Sequence, residues 1–389
     1  MNSFCLLPFY SRPTWIEINK NALLKNLLNI YNYINNKSNN KVSICAVIKS
    51  NAYGHGLDLI GELLNNVKFI ELFGVASIEE AKILREKKIR KPILLLGGIY
   101  PFKNFEYLCE YDVIPTVSSI MLLKELDKFA KRVNKVIKFH LKIDTGMGRI
   151  GVLPESIDEF INEYKLLKNV VCEGIYTHFS SAKEDKEYTL YQLKLFNECY
   201  RKLKNLQLPI KYVHTANSVA TVLYPESYFN MIRPGLIIYG LKPFKNVGKY
   251  VEIEPVLSLK SRIVFLKTLP KGRYISYSKT YVTKRKTKVA TVPIGYADGL
   301  LRKLSNKGKV LINGKICNII GRVTMDMIMV DVSNIKDVKV GDEVVIIGKQ
   351  ADKSITAEDV AELCETINYE TVTLLSLRIP RIVVWRKFL

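Results

Sequence analysis

The sequence predicts an α/β chain in which a (β/α)8 barrel of the TIM type is followed by a smaller, mostly antiparallel β domain. Three observations carry this. Between residues 42 and 240, short runs rich in Val, Ile and Leu alternate with longer amphipathic, Lys-rich segments, the pattern of strands buried on both faces with helices between them. There are about eight such units, the number that closes a barrel rather than leaving an open doubly wound sheet. After residue 240 the texture changes to short alternating runs punctuated by Pro243, Pro255 and Pro270.

Taken in order, the barrel strands are expected over 42–49, 69–77, 92–98, 113–117, 137–145, 170–179, 211–217 and 231–240. Helices with apolar residues at helical spacing and lysines opposite are expected over 78–90, 154–167 and 188–206. In the second domain, strands are expected over 256–268, 274–277, 288–293, 309–312, 327–332 and 343–347, with Asn313-Gly314 and Gly341-Asp342 as turn signals. A helix over 356–367 would be capped by Thr356, with Glu358 and Asp359 in its first turn. The barrel is expected over 11–241 and the β domain over 242–389. The segment 11–19 precedes the first barrel unit and could pair with the late strands, so that residues 1–19 would join the second domain.

Composition narrows the function classes. The 389 residues are 48% hydrophobic and 25% charged, near globular averages, which argues against disorder, collagen and a disulfide-dense scaffold. Seven cysteines, an odd and scattered set without a C-x-x-C pair, read as reduced thiols in a cytoplasmic protein, and no metal site is expected. The apolar run 4–10 is short, broken by Pro8 and preceded by no basic residue, so a secretory signal is not expected. No other apolar run approaches the roughly 18 residues of a membrane span. The net charge of +22 suggests a polyanion, but the lysines are spread along nearly every helical segment instead of being clustered with aromatics. Nucleic acid is therefore not expected as a partner.

Chemistry in such a barrel sits at the C-terminal ends of the strands. The first strand delivers Lys49, followed by Tyr53 and His55. A lysine there is partly desolvated, which lowers its pKa and frees the amine to attack an aldehyde; a lysine snorkelling to solvent is the alternative. Strand five ends with Lys142, Asp144 and the run Thr145-Gly-Met-Gly-Arg149, either a turn returning an arginine over the mouth or an ordinary tight loop. Strand six ends in His178, and strand seven in His214, followed by Asn217 and Ser218. Strand eight opens with Arg233-Pro-Gly235-Leu236. Loops after strands seven and eight are the barrel's habitual phosphate site, a part that Ser218, Gly235 and Leu236 fit. An amine, a phosphate cradle and two arginines at one mouth point to pyridoxal phosphate. Neither a dinucleotide fingerprint nor a P-loop competes.

These residues bring the sequence to a known family. Ala46-Val-Ile-Lys49-Ser-Asn-Ala-Tyr53-Gly-His-Gly56 closely resembles the pyridoxal-phosphate signature of bacterial alanine racemases, enzymes of fold type III. The resemblance continues through Lys142-Ile-Asp-Thr-Gly-Met-Gly-Arg149, Thr177-His-Phe179, Ala216-Asn-Ser218, Arg233-Pro-Gly235, Pro293-Ile-Gly-Tyr-Ala-Asp-Gly299, Gly321-Arg-Val-Thr-Met-Asp326 and Arg378-Ile-Pro-Arg381, covering effectively the whole chain. It implies interconversion of L-alanine and D-alanine for peptidoglycan, in a cytoplasmic homodimer whose sites are shared across the interface.

By position, the resemblance implies that Lys49 holds the cofactor as a Schiff base while Tyr53, Ser218, Gly235 and Leu236 hold its phosphate. Arg233 would face the ring nitrogen with His214 behind it, and Arg149 would lie near the ring hydroxyl and the substrate carboxylate. The lysine matching Lys142 is carbamylated in many members. Racemisation needs a proton carrier on each face of the reacting carbon; the resemblance assigns these roles to Lys49 and to Tyr277 of the partner subunit, with His178 bonded to that tyrosine. The backbone N–H of Met325 would meet the substrate carboxylate across the interface, supported by Asp326. From residue patterns alone, Tyr277, Met325 and Asp326 read as ordinary packing residues.

Three positions depart from the family. Ser278 stands where Gly is common, Thr324 where Cys often precedes the Met-Asp pair, and Leu377 replaces a phosphate-contacting tyrosine of some members. Pocket residues leave open a racemase of serine, lysine or broad specificity. A pyridoxal-phosphate decarboxylase would not be expected to carry the Tyr277 and Met325 motifs, and a non-enzymatic carrier would lack residues 250–389.

Overall fold

The structure, a computed structural model, describes residues 12–206 and 208–385. The apolar run 4–10, Ser11 and the last four residues of the expected second domain lie outside the described residues.

The chain enters through β1 (Thr14–Asn19) and α1 (Lys20–Lys37), where the Asn19 side chain accepts from the N–H groups of Asn21 and Ala22 and starts the helix. Eight strand positions then follow: β2 (Ser43–Val47), β3 (Ile70–Val75), β4 (Ile93–Leu95), β5 (Val113–Ile114) continued after Pro115 by β6 (Thr116–Val117), β7 (Ile137–Lys142), β8 (Val170–Tyr176), β9 (Tyr212–His214) and β10 (Met231–Ile232). All pairings are parallel, in two arcs ordered β10-β2-β3-β4-β5 and β6-β7-β8-β9. The arcs join through Pro115. At the other seam Arg233 N–H donates to Ala216 O at 2.9 Å, closing the barrel.

Between the strands lie α2 (Lys49–Tyr53), α3 (Leu57–Leu64), α4 (Ile78–Glu86), α5 (Phe105–Glu110), α6 (Ile120–Arg132), α7 (Ile157–Lys165), α8 (Lys186–Lys204) and α9 (Ser218–Leu223). The starts of α4, α6 and α8 are set by side-chain caps: Ser77 accepts from Glu80 N–H, Ser119 from Leu122 N–H and Asp185 from Tyr188 N–H. Helix α6 shows the amphipathic pattern in full, burying Leu122, Leu123, Leu126, Phe129 and Ala130 and ending in Lys131 and Arg132, cations that suit a helix C-terminus.

The expected strand over 231–240 is much shorter than its apolar composition suggests. Pro234 has no N–H for a ladder, and beyond it Gly235 opens a 3-10 helix over Leu236–Tyr239. This break turns the backbone across the barrel mouth.

The second domain is built from β11 (Leu257–Arg262), β12 (Phe265–Leu269), β13 (Tyr274–Ile275), β14 (Tyr281–Val282), β15 (Thr287–Val292), β16 (Lys309–Ile312), β17 (Lys315–Asn318), β18 (Ile328–Asp331), β19 (Glu343–Gln350), β20 (Lys353–Ile355) and β21 (Arg381–Val384). Its main sheet runs β17-β16-β19-β11-β1-β21, and β12-β15-β18 form a second one. Strand β1 pairs antiparallel with β11 and parallel with β21, with all six of its residues buried, so the start of the chain is central to the late sheet. Asn313 and Gly314 both take positive φ, as a two-residue turn between β16 and β17 requires.

Helix α10 (Ala357–Cys364) has the expected Thr356 cap, reciprocated by Asp359, but ends three residues earlier than the pattern suggests. Glu365 turns left-handed (φ 54°) and the chain restarts as α11 (Asn368–Thr373). That short helix leans back on the barrel mouth.

Candidate active site

A cavity of about 600 Å³ opens at the C-terminal ends of the barrel strands. Its walls bring together Lys49, Tyr53, Lys142, Arg149, His178, Ser218, Arg233, Gly235 and Leu236, nine of the residues singled out from the sequence. His214 lies behind Arg233, fully buried.

Lys49 follows β2 and heads a turn in which Ser50, Asn51, Ala52 and Tyr53 all have φ between 52° and 56°. Left-handed backbone costs roughly 1–2 kcal/mol per non-glycine residue, so four in succession must be held from outside. Glu80 accepts from the N–H groups of Ser50 and Asn51, and His55 Nδ1 donates to Ala52 O and Tyr53 O at 3.0 and 2.9 Å. The turn aims the Lys49 amine and the Tyr53 ring into the same cavity. Burial and the nearby Arg149 charge lower the Lys49 pKa, with Glu80 opposing them.

Arg149 is placed by Asp144, whose carboxylate accepts from the N–H groups of Gly146, Met147, Gly148 and Arg149 itself. Burial alone would raise that carboxyl; the four donors outweigh it and hold it below the ordinary range. The glycine-rich run is therefore a nest that fixes the arginine. Next to it, burial and the charges of Arg149 and Arg233 bring Lys142 down to about 8.

Arg233 is 4% exposed and donates to His214 Nδ1 (2.9 Å), His214 O (2.6 Å), Thr177 O (2.6 Å) and Thr215 O (3.2 Å). Its guanidinium also lies over the Tyr176 ring, 5.0 Å from the centroid. Burial lowers its pKa to about 10, so it remains a cation at neutral pH. Among the described residues, Lys49, Lys142, Arg149 and Arg233 form no ion pair. Concentrated positive charge without a carboxylate partner suits an anionic ligand.

At the other end of the cavity Ser218 Oγ accepts from Gly235 N–H at 3.0 Å, and a Cβ at Gly235 would overlap the Tyr53 hydroxyl. The first N–H groups of the 3-10 helix that Gly235 opens have no intrahelical acceptor. Hydroxyls, free N–H groups and close backbone approach make a cradle for a phosphate. The donor set thus fits pyridoxal phosphate: an amine of lowered pKa for its aldehyde, the cradle for its phosphate and a fixed guanidinium for its ring.

Tyr277 and Met325 are not brought to this cavity. They lie 68% and 54% exposed on the second domain, where Tyr277 lines a separate depression with Thr324. The backbone around Tyr277 is strained: Ser276 has φ 64° and ψ −173°, a region otherwise used by glycine, and Ser278 has φ 59°. Ser278 thus meets the left-handed geometry that a glycine would adopt without cost. Thr324 replaces a cysteine productively, since its hydroxyl donates to Met327 O and accepts from Met327 N–H to close the turn around Met325. Asp326 is gripped by Arg378 at 2.7 Å, and Arg378 reaches the buried Asp298 at 2.7 Å. Leu377 is 78% exposed and outside the cavity.

Tyr369 from α11 also lines the cavity, and sequence reasoning passed over it. Nothing local distinguishes it from the other 21 tyrosines. Its position follows from tertiary approach alone.

Comparison with known proteins agrees with this arrangement. The family profile described as "Alanine racemase, N-terminal domain" matches residues 18–243, and "Alanine racemase, C-terminal domain" matches 256–383. The chain is 44% identical over 372 residues to an alanine racemase of Halothermothrix orenii, covering 95% of this chain and 97% of that one. An alanine racemase of Clostridium novyi is 41% identical, with 96% of each covered. Among solved structures, alanine racemase of Clostridium difficile 630 superposes with a TM-score of 0.89 at 38% identity, covering 97% of both chains. Alanine racemase from Bacillus anthracis with bound L-Ala-P gives 0.89 at 37% identity, covering 97% of this chain and 96% of that one.

Proposed function

Because the chain belongs to the alanine racemase family, we propose that it interconverts L-alanine and D-alanine with pyridoxal phosphate as cofactor, as a cytoplasmic homodimer supplying D-alanine for peptidoglycan. The observation that carries this reading is the cavity itself, where Lys142, Arg149 and Arg233, three cations without ion-pair partners among the described residues, surround the Lys49 amine of lowered pKa. When bound, the cofactor supplies an aldehyde for the substrate amino group and a conjugated ring that withdraws the electron pair left as the α-proton departs.

The chain's own residues do the rest. Tyr53, Ser218, Gly235 and Leu236 hold the phosphate, and Arg149 orients the ring hydroxyl and the substrate carboxylate. Lys49, the amine that holds the cofactor, carries the proton on one face of the reacting carbon. Arg233 remains a cation at neutral pH, so it would donate to the ring nitrogen of a bound cofactor and leave that nitrogen unprotonated, which would weaken electron withdrawal and limit side reactions such as transamination. Lys142, lowered to about 8, has enough neutral amine to take up carbon dioxide, and a carbamate there would add an anion to the cavity that Arg149 and Arg233 line.

The second proton carrier is Tyr277 of the partner subunit. Its exposure on the second domain, together with that of Met325, supports contact with another copy. The Thr324 carbonyl is held by Tyr296 N–H at 3.0 Å, which orients the peptide whose N–H, that of Met325, would meet the substrate carboxylate. His178, deprotonated by burial and by the charges of Arg233, Lys142, Arg149 and Lys49, can accept a hydrogen bond from a tyrosine brought to the mouth.

The assay is direct: purified protein should show the visible absorbance of bound pyridoxal phosphate and racemise alanine from either enantiomer. Serine, lysine and arginine measured in parallel set the substrate range. A colourless protein, or one that releases carbon dioxide without racemising alanine, would overturn the reading.

A further inference from the structure

Every cofactor residue named so far comes from the barrel, yet the cavity also has a wall from the second domain. Helix α11 is seated against the Lys49–Gly54 turn. Gly54 (φ 80°) packs so closely on it that a Cβ there would overlap the Val372 carbonyl. Arg381 ties the same parts together: its Nε and Nη2 donate to Gly54 O at 3.2 and 3.1 Å, while Nη1 and Nη2 also reach the carbonyls of Ser376, Ile379 and Leu375. This clamp fixes α11 relative to Tyr53.

Tyr369, from α11, lines the same cavity as Tyr53. The Tyr369 hydroxyl has no hydrogen-bond partner among the described residues, and neither has that of Tyr53. A half-buried phenol on a rigid support, facing a cationic cavity without an acceptor, is a donor in search of an anion. Burial raises the pKa of both tyrosines, with a lesser contribution from Glu184 at Tyr369, so both keep the proton needed to donate.

We propose that Tyr369 is a phosphate-binding residue of this cavity, donating from the second domain to the phosphate group that Tyr53, Ser218, Gly235 and Leu236 hold from the barrel. The ligand class is a phosphate monoester. Its identity as pyridoxal phosphate rests on the function proposed above, whereas the phosphate contact itself does not. Through the Arg381 clamp, the two domains of one subunit would close on one phosphate.

The test compares Tyr369→Phe with the natural protein in three binding measurements on cofactor-stripped full-length chain. Affinity for pyridoxal phosphate should fall roughly tenfold, the loss of one hydrogen bond to a charged acceptor. Affinity for pyridoxal, which lacks the phosphate, should be unchanged. Inorganic phosphate should raise the thermal midpoint of the natural protein more than that of the variant. Equal losses for pyridoxal and its phosphate, or no loss for either, would overturn the proposal, because a packing role does not distinguish the two ligands. If the natural protein binds inorganic phosphate through Tyr369 but not pyridoxal phosphate, the proposal stands and the cofactor reading falls.

Discussion

His140 Nδ1 lies 2.9 Å from His214 Nε2, and the two fully buried imidazoles have one proton arrangement open to them. Arg233 can only donate, so His214 Nδ1 accepts from it and the His214 proton sits on Nε2. That proton is given to His140 Nδ1, which leaves the His140 proton on Nε2, where it has no partner. His140 on β7, His214 on β9 and Arg233 just beyond β10 therefore fix the tautomer that holds the guanidinium. His140→Phe should strand the His214 N–H and cost about 1–3 kcal/mol of stability, read from denaturant unfolding. A variant as stable as the natural protein would show that the pair contributes nothing.

Acid should destabilise the protein through the same residues. Burial depresses all four histidines: His140 to about 3, with the Arg233 charge adding to it, His55 to about 4, and His178 and His214 well below their usual value. The folded state keeps them neutral while the unfolded chain takes up protons below about 6.5. Stability is thus fully present above about 6.5 and is lost as pH falls towards the folded values, at up to ~1.4 kcal/mol per pH unit for each histidine. Unfolding midpoints measured between about pH 5 and about pH 8 should show this slope, and His140→Phe should reduce it by one proton. A flat profile would mean that these rings titrate normally.

Much of this site was legible in the chain because barrel strands announce themselves as apolar runs and their last residues point into the mouth. Lys49, Lys142, His178 and Ser218 fall out of that rule, and Arg149 follows from the glycine-rich turn that Asp144 nucleates. The rule fails where chemistry depends on segments far apart in sequence. Tyr369 and Arg381 reach the Lys49 turn across more than three hundred residues, and no periodicity marks either. Tyr277 is a special case, since its only physical signal is the strain at Ser276 and Ser278, which appears in backbone angles and not in composition.

Gly54 carries the contact between the two domains at the cofactor turn. Gly54→Ala combines a positive φ with overlap on the Val372 carbonyl, so neither relaxation nor rotation relieves it. We expect a loss of at least ~2–3 kcal/mol, above the ordinary penalty for alanine in left-handed backbone. Affinity for pyridoxal phosphate should weaken with it, since Tyr53 belongs to the same turn. Alanine at Gly248, which has open space around it and lies outside the cavity, is the control and should be nearly neutral.

Tyr277→Phe should separate the two proton carriers. L-alanine and D-alanine are equal in energy, so kcat/KM must fall by the same factor in both directions whatever the residue does. Loss of a general acid-base group corresponds to roughly 10²–10⁴ in that quantity. The informative measurement is exchange of the α-hydrogen with deuterated solvent. D-alanine should still exchange through Lys49, while exchange of L-alanine should be lost. Retained exchange of both enantiomers would remove Tyr277 from the chemistry.

Lys49 and Tyr277 line separate cavities within one chain, so the proposed function would make catalysis depend on assembly while cofactor binding would draw on residues of a single subunit. Dilution should therefore abolish racemisation while the visible absorbance of bound cofactor persists, and activity should return on concentration. Tyr274 and Tyr277 are both exposed and line one depression, the face on which the proposed contact with a second copy would form. Tyr274→Glu, which places charge on that surface without touching the cavity, should shift the concentration for half-activity upward and leave the limiting kcat at high concentration largely intact. If activity per subunit stays constant through dilution to the monomer by sedimentation, then a single chain supplies both proton carriers and the shared-site reading is wrong.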